Sequence, residues 1–385
     1  MSDAWKKRVE DVHARYESGE LSRRDFLRFM VIAGTAAGLA GGPFGLLGSA
    51  QAADSIRFDG WGGTTSEAFR KYAFEPFTKA TGIEVIDGEF GDMDSYLTRV
   101  KASFPPGGEF NLAHLSGVFD YARYVGLGFN ASLDESAIPN LSLVMQAMVT
   151  PYYAITPKSL SAVPYDLGQT GIAYNTKYVS KEKAEKLGAG ILFEESLKGK
   201  IGSWTDWRTN IWYAALYTGQ QPNDIADLDK VWKALRKQRD LIKKYWGSGA
   251  ELMSLLANEE IYATPAWSGR VAHLQNEGHS IGYLAPEGTY SWQECIFVIK
   301  GTDLDTAHKL LNFMLEPEAA IAVAEAQQYP PSLDPSKVDM PESVKKLPAF
   351  DPTGKLEGYL FSVPDYWNSH QVEWSEQWDR IMAGA

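Results

Sequence analysis

Apolar and polar residues alternate along Ser55-Ile56-Arg57-Phe58-Asp59-Gly60-Trp61, a pattern that predicts a first strand. Gly62-Gly63-Thr64-Thr65 follows, a pair of glycines that lets the backbone turn sharply and offers free N–H groups. Helical spacing then runs from Ser66 to Thr81, with Phe69, Tyr72, Ala73, Phe74 and Phe77 on one broad face, and Gly82 ends it before the strand 83–86. Strand, helix and strand in that order are an α/β signature. The next elements predicted are a helix 95–103 capped by Asp94, a strand 111–115 and a helix around 120–125. An extended piece follows at 161–166, where Pro164 biases Val163 away from helix. The glycine-spaced run 167–175 suits a crossover strand between two lobes.

In the second half the pattern predicts a strand and aromatic turn over 197–208, then a helix 210–218. A long amphipathic helix over 227–245 and a shorter one over 250–257 follow, and an aromatic loop, 263–270, enters another helix. Turn chemistry at Pro286 and Gly288 leads to Tyr290, Trp292 and Glu294 at the mouth of an apolar strand, Cys295 to Ile299, buried on both faces. Helices over 305–315 and 316–327, a Pro330-Pro331 break and a tail helix over 368–382 complete the reading. The loops around Trp61, Asp206 and Trp267 all fall at strand ends, where open α/β sheets bind ligands.

Composition adds three points. Aromatic residues make up 12% of the 385, with 12 Trp, a surplus that suits ligand-lining walls. A net charge of −12 argues against nucleic acid and is compatible with a cationic ligand. The single cysteine, Cys295, excludes an internal disulfide and reads as an inert buried thiol. The N-terminus reads as an address: Ser22-Arg23-Arg24-Asp25-Phe26-Leu27-Arg28 precedes a Gly/Ala-rich apolar stretch and Ala50-Gln51-Ala52. This pattern resembles a twin-arginine export signal, which implies cleavage near Ala53, handling by the twin-arginine translocase and a periplasmic mature protein.

An indole beside a carboxylate, as at Trp292 and Glu294, suits a cationic guest through ring face and ion pair together. Asp166 is a second candidate anion at the crossover, and Asp206 precedes a helix, where capping competes with ligand binding. The six histidines are scattered without metal-ligand spacing, and Asp92 and Asp94 lack the further oxygen ligands of a calcium loop, so no metal and no cofactor is expected. No P-loop, nucleophile elbow or His-Glu-x-x-His is present.

With those residues in view, the chain resembles the periplasmic solute-binding proteins of ABC importers, in particular the spermidine/putrescine-binding group. The resemblance rests on Phe77 to Val85, Leu197-Lys198-Gly199-Lys200-Ile201, Trp267-Ser268-Gly269, Ser291-Trp292-Gln293-Glu294 and Leu310 to Pro317, and it covers most of 55–335. It implies a two-lobed α/β periplasmic binding protein fold (type II) with a ligand cleft crossed by linking strands. The domains expected are a signal peptide, 1–52, a first lobe, 54–168 plus 293–337, and a second lobe, 169–292 plus 338–385. It implies that Trp267 and Trp292 wall the ligand, that Glu294 and Asp206 hold ammonium groups and that Tyr329 adds a ring. Trp61, Thr64, Thr65 and Ser116 would close the site from the first lobe. Two departures stand out: Thr209 occupies a position where the group carries an acid, and Arg270 follows the Trp-Ser-Gly loop. The expected function is capture of a small amine, a polyamine first, for delivery to membrane permease subunits. The rivals are a zwitterionic or anionic solute held by Arg270 and the Gly62-Gly63 amides, and a periplasmic enzyme using Glu294 and Asp206.

Overall fold

In the computed structural model the described residues are 55–90, 93–103 and 109–384, so the export-signal reading of 1–52 lies outside them. The chain begins with β1 (Ser55–Gly60) and a continuous helix α1 over 63–81, whose middle turn, Arg70–Phe74, is π-helical. Gly82 closes α1 at φ 78°, a left-handed position open to glycine. Then come β2 (Glu84–Glu89), α2 (Met93–Ser103), β3 (Leu112–Leu115), α3 (Gly117–Gly126) and α4 (Gln146–Ile155). Asp94 sits inside the first turn of α2 and pairs with Arg123 at 2.5 Å, instead of capping the helix.

The two extended pieces read at 161–166 and 167–175 are one 14-residue strand, β4 (Ala162–Asn175). After α5 (Lys181–Leu187) come β5 (Ile201–Trp204) and α6 (Trp207–Tyr217). The long helix expected over 227–245 divides into α7 (Leu228–Arg239) and β6 (Ile242–Trp246). Asp240 and a tight bend separate the two, and the branched and aromatic residues of Ile242-Lys243-Lys244-Tyr245-Trp246 pair in parallel with β5. After α8 (Gly249–Ala257), the aromatic loop read at 263–270 is a buried strand, β7 (Ala263–Trp267), running straight into α9 (Ser268–Asn276). Next are β8 (Ile281–Leu284) and β9 (Tyr290–Val298), followed by α10 (Leu304–Met314) and α11 (Pro317–Gln327). The chain ends with α12 (Glu342–Lys345), β10 (Leu360–Phe361) and α13 (Pro364–Met382).

The strands order as β2-β1-β3-β9-β4-β7-β5-β6, with β10 on β9 and β8 on β4. The two largest hydrophobic cores lie along this path. The first gathers Ile56, Phe58, Phe69, Leu112, Tyr165, Leu167, Cys295, Phe297 and Leu310. The second gathers Ile172, Tyr174, Ile201, Trp212, Ala263, Trp367 and Trp378. β4 therefore leaves one core after Leu167 and enters the other at Ile172. β9 runs antiparallel beside it, pairing Glu294 with Asp166 and Trp292 with Gly168, so both strands cross between the lobes. The stretch 338–347 packs on Ala320 and Ala324 of α11, Leu356 belongs to the first core, and the chain joins the second core from β10 onward.

Candidate functional site

β9 carries the site. Trp292 and Glu294 lie within the strand, two residues apart and so on one face, instead of at its mouth as the sequence reading had them. Glu294 faces Asp166 across the β4–β9 ladder, where the register slips between Pro164 and Asp166. Behind them β3 contributes His114, whose Nε2 stands 3.0 Å from the Glu294 carboxylate and 3.8 Å from that of Asp166. His114 and Asp166 are fully buried, and Glu294 is 13% exposed. The imidazole lies among Phe69, Phe58 and Tyr165, with ring centres 5.1, 6.3 and 6.4 Å away, and neither of its nitrogens is hydrogen-bonded.

Burying three ionisable groups together moves all three. Loss of water pushes Glu294 up to about 8, against the pull of an Asp166 hydrogen bond, Arg270 and the Trp61 indole. Burial, and then the neighbouring Glu294 charge, push Asp166 up to about 7. Burial lowers His114 to about 4, so the imidazole is neutral. Gln327 steadies the group by donating its side-chain N–H to Asp166 at 2.7 Å.

Aromatic walls surround Glu294. Trp61, held edge-on by Phe90 at 4.9 Å, buries its indole N–H beside the Glu294 carboxylate without closing a hydrogen bond to it. Trp292 meets Tyr329 edge-to-face at 5.0 Å and donates from Nε1 to the Thr170 hydroxyl at 3.2 Å. Its six-membered ring lies against Gly168, where a Cβ would come within 2.3 Å of it. Gly62 and Gly63, at φ 76° and 56°, turn the chain so that Thr64 and Thr65 start α1 at this point. Arg270, from α9 on the opposite side, reaches them, donating to the Thr64 hydroxyl at 2.5 Å and more weakly to Thr65 at 3.5 Å.

The other predicted residues are placed differently. Trp267 ends β7 opposite Thr170 and packs edge-on against Trp204 and Trp246, at 5.0 and 5.4 Å, so much of its ring serves that aromatic cluster. Ser116 lines a cavity of about 240 Å³ with Phe119, Tyr290, Trp292, Gln293 and the tail residues Phe361 to Pro364. Asp206 lies at the start of α6. Its carboxylate caps α6 by accepting from the Thr209 N–H at 2.9 Å, and pairs with Arg208 at 3.1 Å. Arg208 lies over the Phe119 ring at 4.6 Å. Burial works against its charge, but Asp206, Tyr290 and the buried Asp120 together outweigh that and raise its pKa.

His114 and Gln327 were missed by the sequence reading. His114 shows one available signal: it breaks the otherwise apolar strand Leu112-Ala113-His114-Leu115. Chemically, the arrangement offers an aromatic-walled carboxylate beside which, among the described residues, no lysine or arginine forms an ion pair with Glu294 or Asp166. Such a group can accept an ammonium ion.

Comparisons with known proteins agree with this architecture. The family model described as "Bacterial extracellular solute-binding protein" matches residues 72–352. The chain is similar to the putrescine-binding periplasmic protein SpuD of Pseudomonas aeruginosa, 25% identical over 357 residues, which cover 88% of this chain and 95% of that one. It is similar as well to a gamma-aminobutyric acid-binding protein of Pseudomonas aeruginosa, 23% identical over 350 residues, 88% of this chain and 95% of the other. It shares its fold with the spermidine/putrescine ABC transporter substrate-binding protein PotD of Streptococcus pneumoniae, with a TM-score of 0.68 and 20% identity over 85% of this chain and 98% of that one.

Proposed function

The chain belongs to the bacterial extracellular solute-binding proteins, and from that premise we propose that it captures a small amine-bearing solute between its lobes and delivers it to an ABC permease. The observation that carries this reading is the Glu294 carboxylate, walled by Trp61, Trp292 and Tyr329 and free of a lysine or arginine ion pair among the described residues. An ammonium group placed there gains a charge-assisted hydrogen bond and aromatic surroundings that favour a cation. Putrescine and spermidine, the solutes named for several relatives, are the first compounds to test.

In this reading the first lobe is 54–168 plus 293–337 and the second 169–292 plus 338–385, with 338–356 docked on the first. The solute touches Glu294 and Trp61 from one side and Trp267 and Arg270 from the other, so it binds the closed arrangement better than the open one and closes the hinge. Export through a twin-arginine signal would place the protein in the periplasm, as for its named relatives. No helix among the described residues is long and apolar enough to cross a membrane. We assign it no catalytic role; the Cys295 thiol, for one, is pushed up by burial and is a poor nucleophile.

A second reading follows from Arg270. Its guanidinium reaches the start of α1 and acts on Glu294 and Tyr329, so a cation already stands opposite the carboxylate. A solute with an amine at one end and a carboxylate at the other would satisfy both groups. A thermal-shift screen with diamines, triamines, ω-amino acids and opine-like compounds separates the two readings. Stabilisation by diamines that is lost in Glu294→Gln supports the first; stabilisation only by carboxylated amines, lost in Arg270→Ala, replaces it with the second.

A further inference from the structure

The floor of the site contains a feature that amine capture leaves unused. His114 brings no hydrogen bond to the structure, although it is fully buried and its Nε2 points at two carboxylates. With Nδ1 lacking a partner and Nε2 facing only carboxyl oxygens without a formed hydrogen bond, this imidazole is costly in an aromatic pocket, where a hydrocarbon side chain would pack without penalty. One ligating atom from each of His114, Asp166 and Glu294 lies within 4.8 Å of the others. One Asp166 oxygen is held by Gln327, and the Asp166 and Glu294 carboxyl groups stand within hydrogen-bonding reach of each other.

We propose that His114, Asp166 and Glu294 form a binding site for a divalent transition-metal cation of the zinc class at the floor of the cleft. The chemistry of the donors fits. One neutral imidazole and two carboxylates are a borderline nitrogen and oxygen set, suited to Zn²⁺, Co²⁺ or Mn²⁺ and lacking the all-oxygen character that calcium favours. An incoming ion would displace the protons that burial holds on the two acids, and the two carboxylate charges so formed match its own. In the tautomer protonated at Nδ1, the Nε2 that faces both carboxylates can lend its lone pair to the ion. Gln327 acts as an outer partner that orients Asp166, as metal-ligating carboxylates ordinarily require. Glu294, the one partly exposed member, gives the ion a route in from the cleft. The donors come from three separate strands, β3, β4 and β9, so no sequence spacing announces them.

The site shares Glu294 with the proposed amine subsite but stands on His114 and Asp166, so the two can fail separately. The test is titration of chelator-treated full-length protein with Co²⁺, followed by its visible absorption, and with Zn²⁺, followed by calorimetry. One ion per chain is expected, with absorption characteristic of a nitrogen- and oxygen-ligated ion. His114→Leu, a substitution its apolar surroundings accommodate, should abolish stoichiometric binding while leaving amine-induced thermal stabilisation in place. Asp166→Asn should do the same to the metal and decides the matter if His114→Leu does not fold. Gln327→Leu should weaken the ion by about 10- to 100-fold, the usual effect of losing an outer partner. Absence of saturable binding in the wild type, or binding unchanged in both ligand variants, overturns the proposal. Intact metal binding without any amine response would leave this site standing and remove the proposed function instead.

Discussion

At one end of β9, beside Tyr290, Asp206 pairs with Arg208 and the buried Asp120 pairs with Arg123. Four residues along the same strand, Glu294 and Asp166 meet each other and a neutral imidazole. Both groups are carboxylates lodged between the lobes, and both are flanked by aromatic rings. In the first, each carboxylate has an arginine counterion from the chain itself, although burial still raises the pKa of Asp120. In the second, no lysine or arginine among the described residues pairs with the acids, and burial raises them to about 7 and about 8. The contrast separates a carboxylate that serves the architecture from one placed to receive a cation. In the first group the Asp206 carboxylate caps α6 and pairs with Arg208.

Breaking either side of this contrast should have different consequences. Glu294→Gln removes the charge while keeping the shape, and should weaken an amine ligand by roughly 3 kcal/mol, above a hundredfold, in calorimetry. Its melting temperature without ligand should not fall, because the substitution removes a buried acid lacking a lysine or arginine partner. Arg208→Met should do the reverse. It strands Asp206 and deprives the buried Asp120 of one of its two neighbouring arginines, so stability should fall on the order of 3 kcal/mol in denaturant unfolding. Gly168→Ala sharpens the comparison further. A methyl group there would stand 2.3 Å from the Trp292 ring, so the indole must shift, and amine affinity should drop by about tenfold as one wall is lost. The smallest effect is expected from Arg270→Ala. Removing a cation from the cleft should raise diamine affinity by up to about tenfold and lower that of any carboxylated amine, read as opposite shifts in one thermal screen.

Much of this organisation was legible in the sequence, for identifiable reasons. The helix read over 66–81, which the structure extends back to Gly63, the apolar run from Cys295 and the glycine-spaced crossover follow from local periodicity, and tertiary packing did not override them. Where tertiary pairing decides, local pattern misled. Tyr245 and Trp246 continue a helical rhythm, yet β5 offers a parallel partner and takes them as strand. Pro265 and Trp267 suggest a loop, yet β7 is buried between β4 and β5. The aromatic residues and Glu294 could be named in advance because their chemistry is unusual wherever it occurs. His114 could not: it lies in an apolar strand, and its significance depends on Asp166 and Glu294 arriving from strands 52 and 180 residues further on. Conversely, Asp206 drew attention by type, and Arg208, two residues later, determines what that acid does.

The central claim, that Glu294 is the cation-receiving group of the cleft, is tested most directly by isothermal titration of wild-type protein and Glu294→Gln with putrescine. The account predicts saturable one-to-one binding in the wild type and a loss above a hundredfold in the variant. Equal binding by both proteins, or no binding of any amine by a folded wild type, would contradict it.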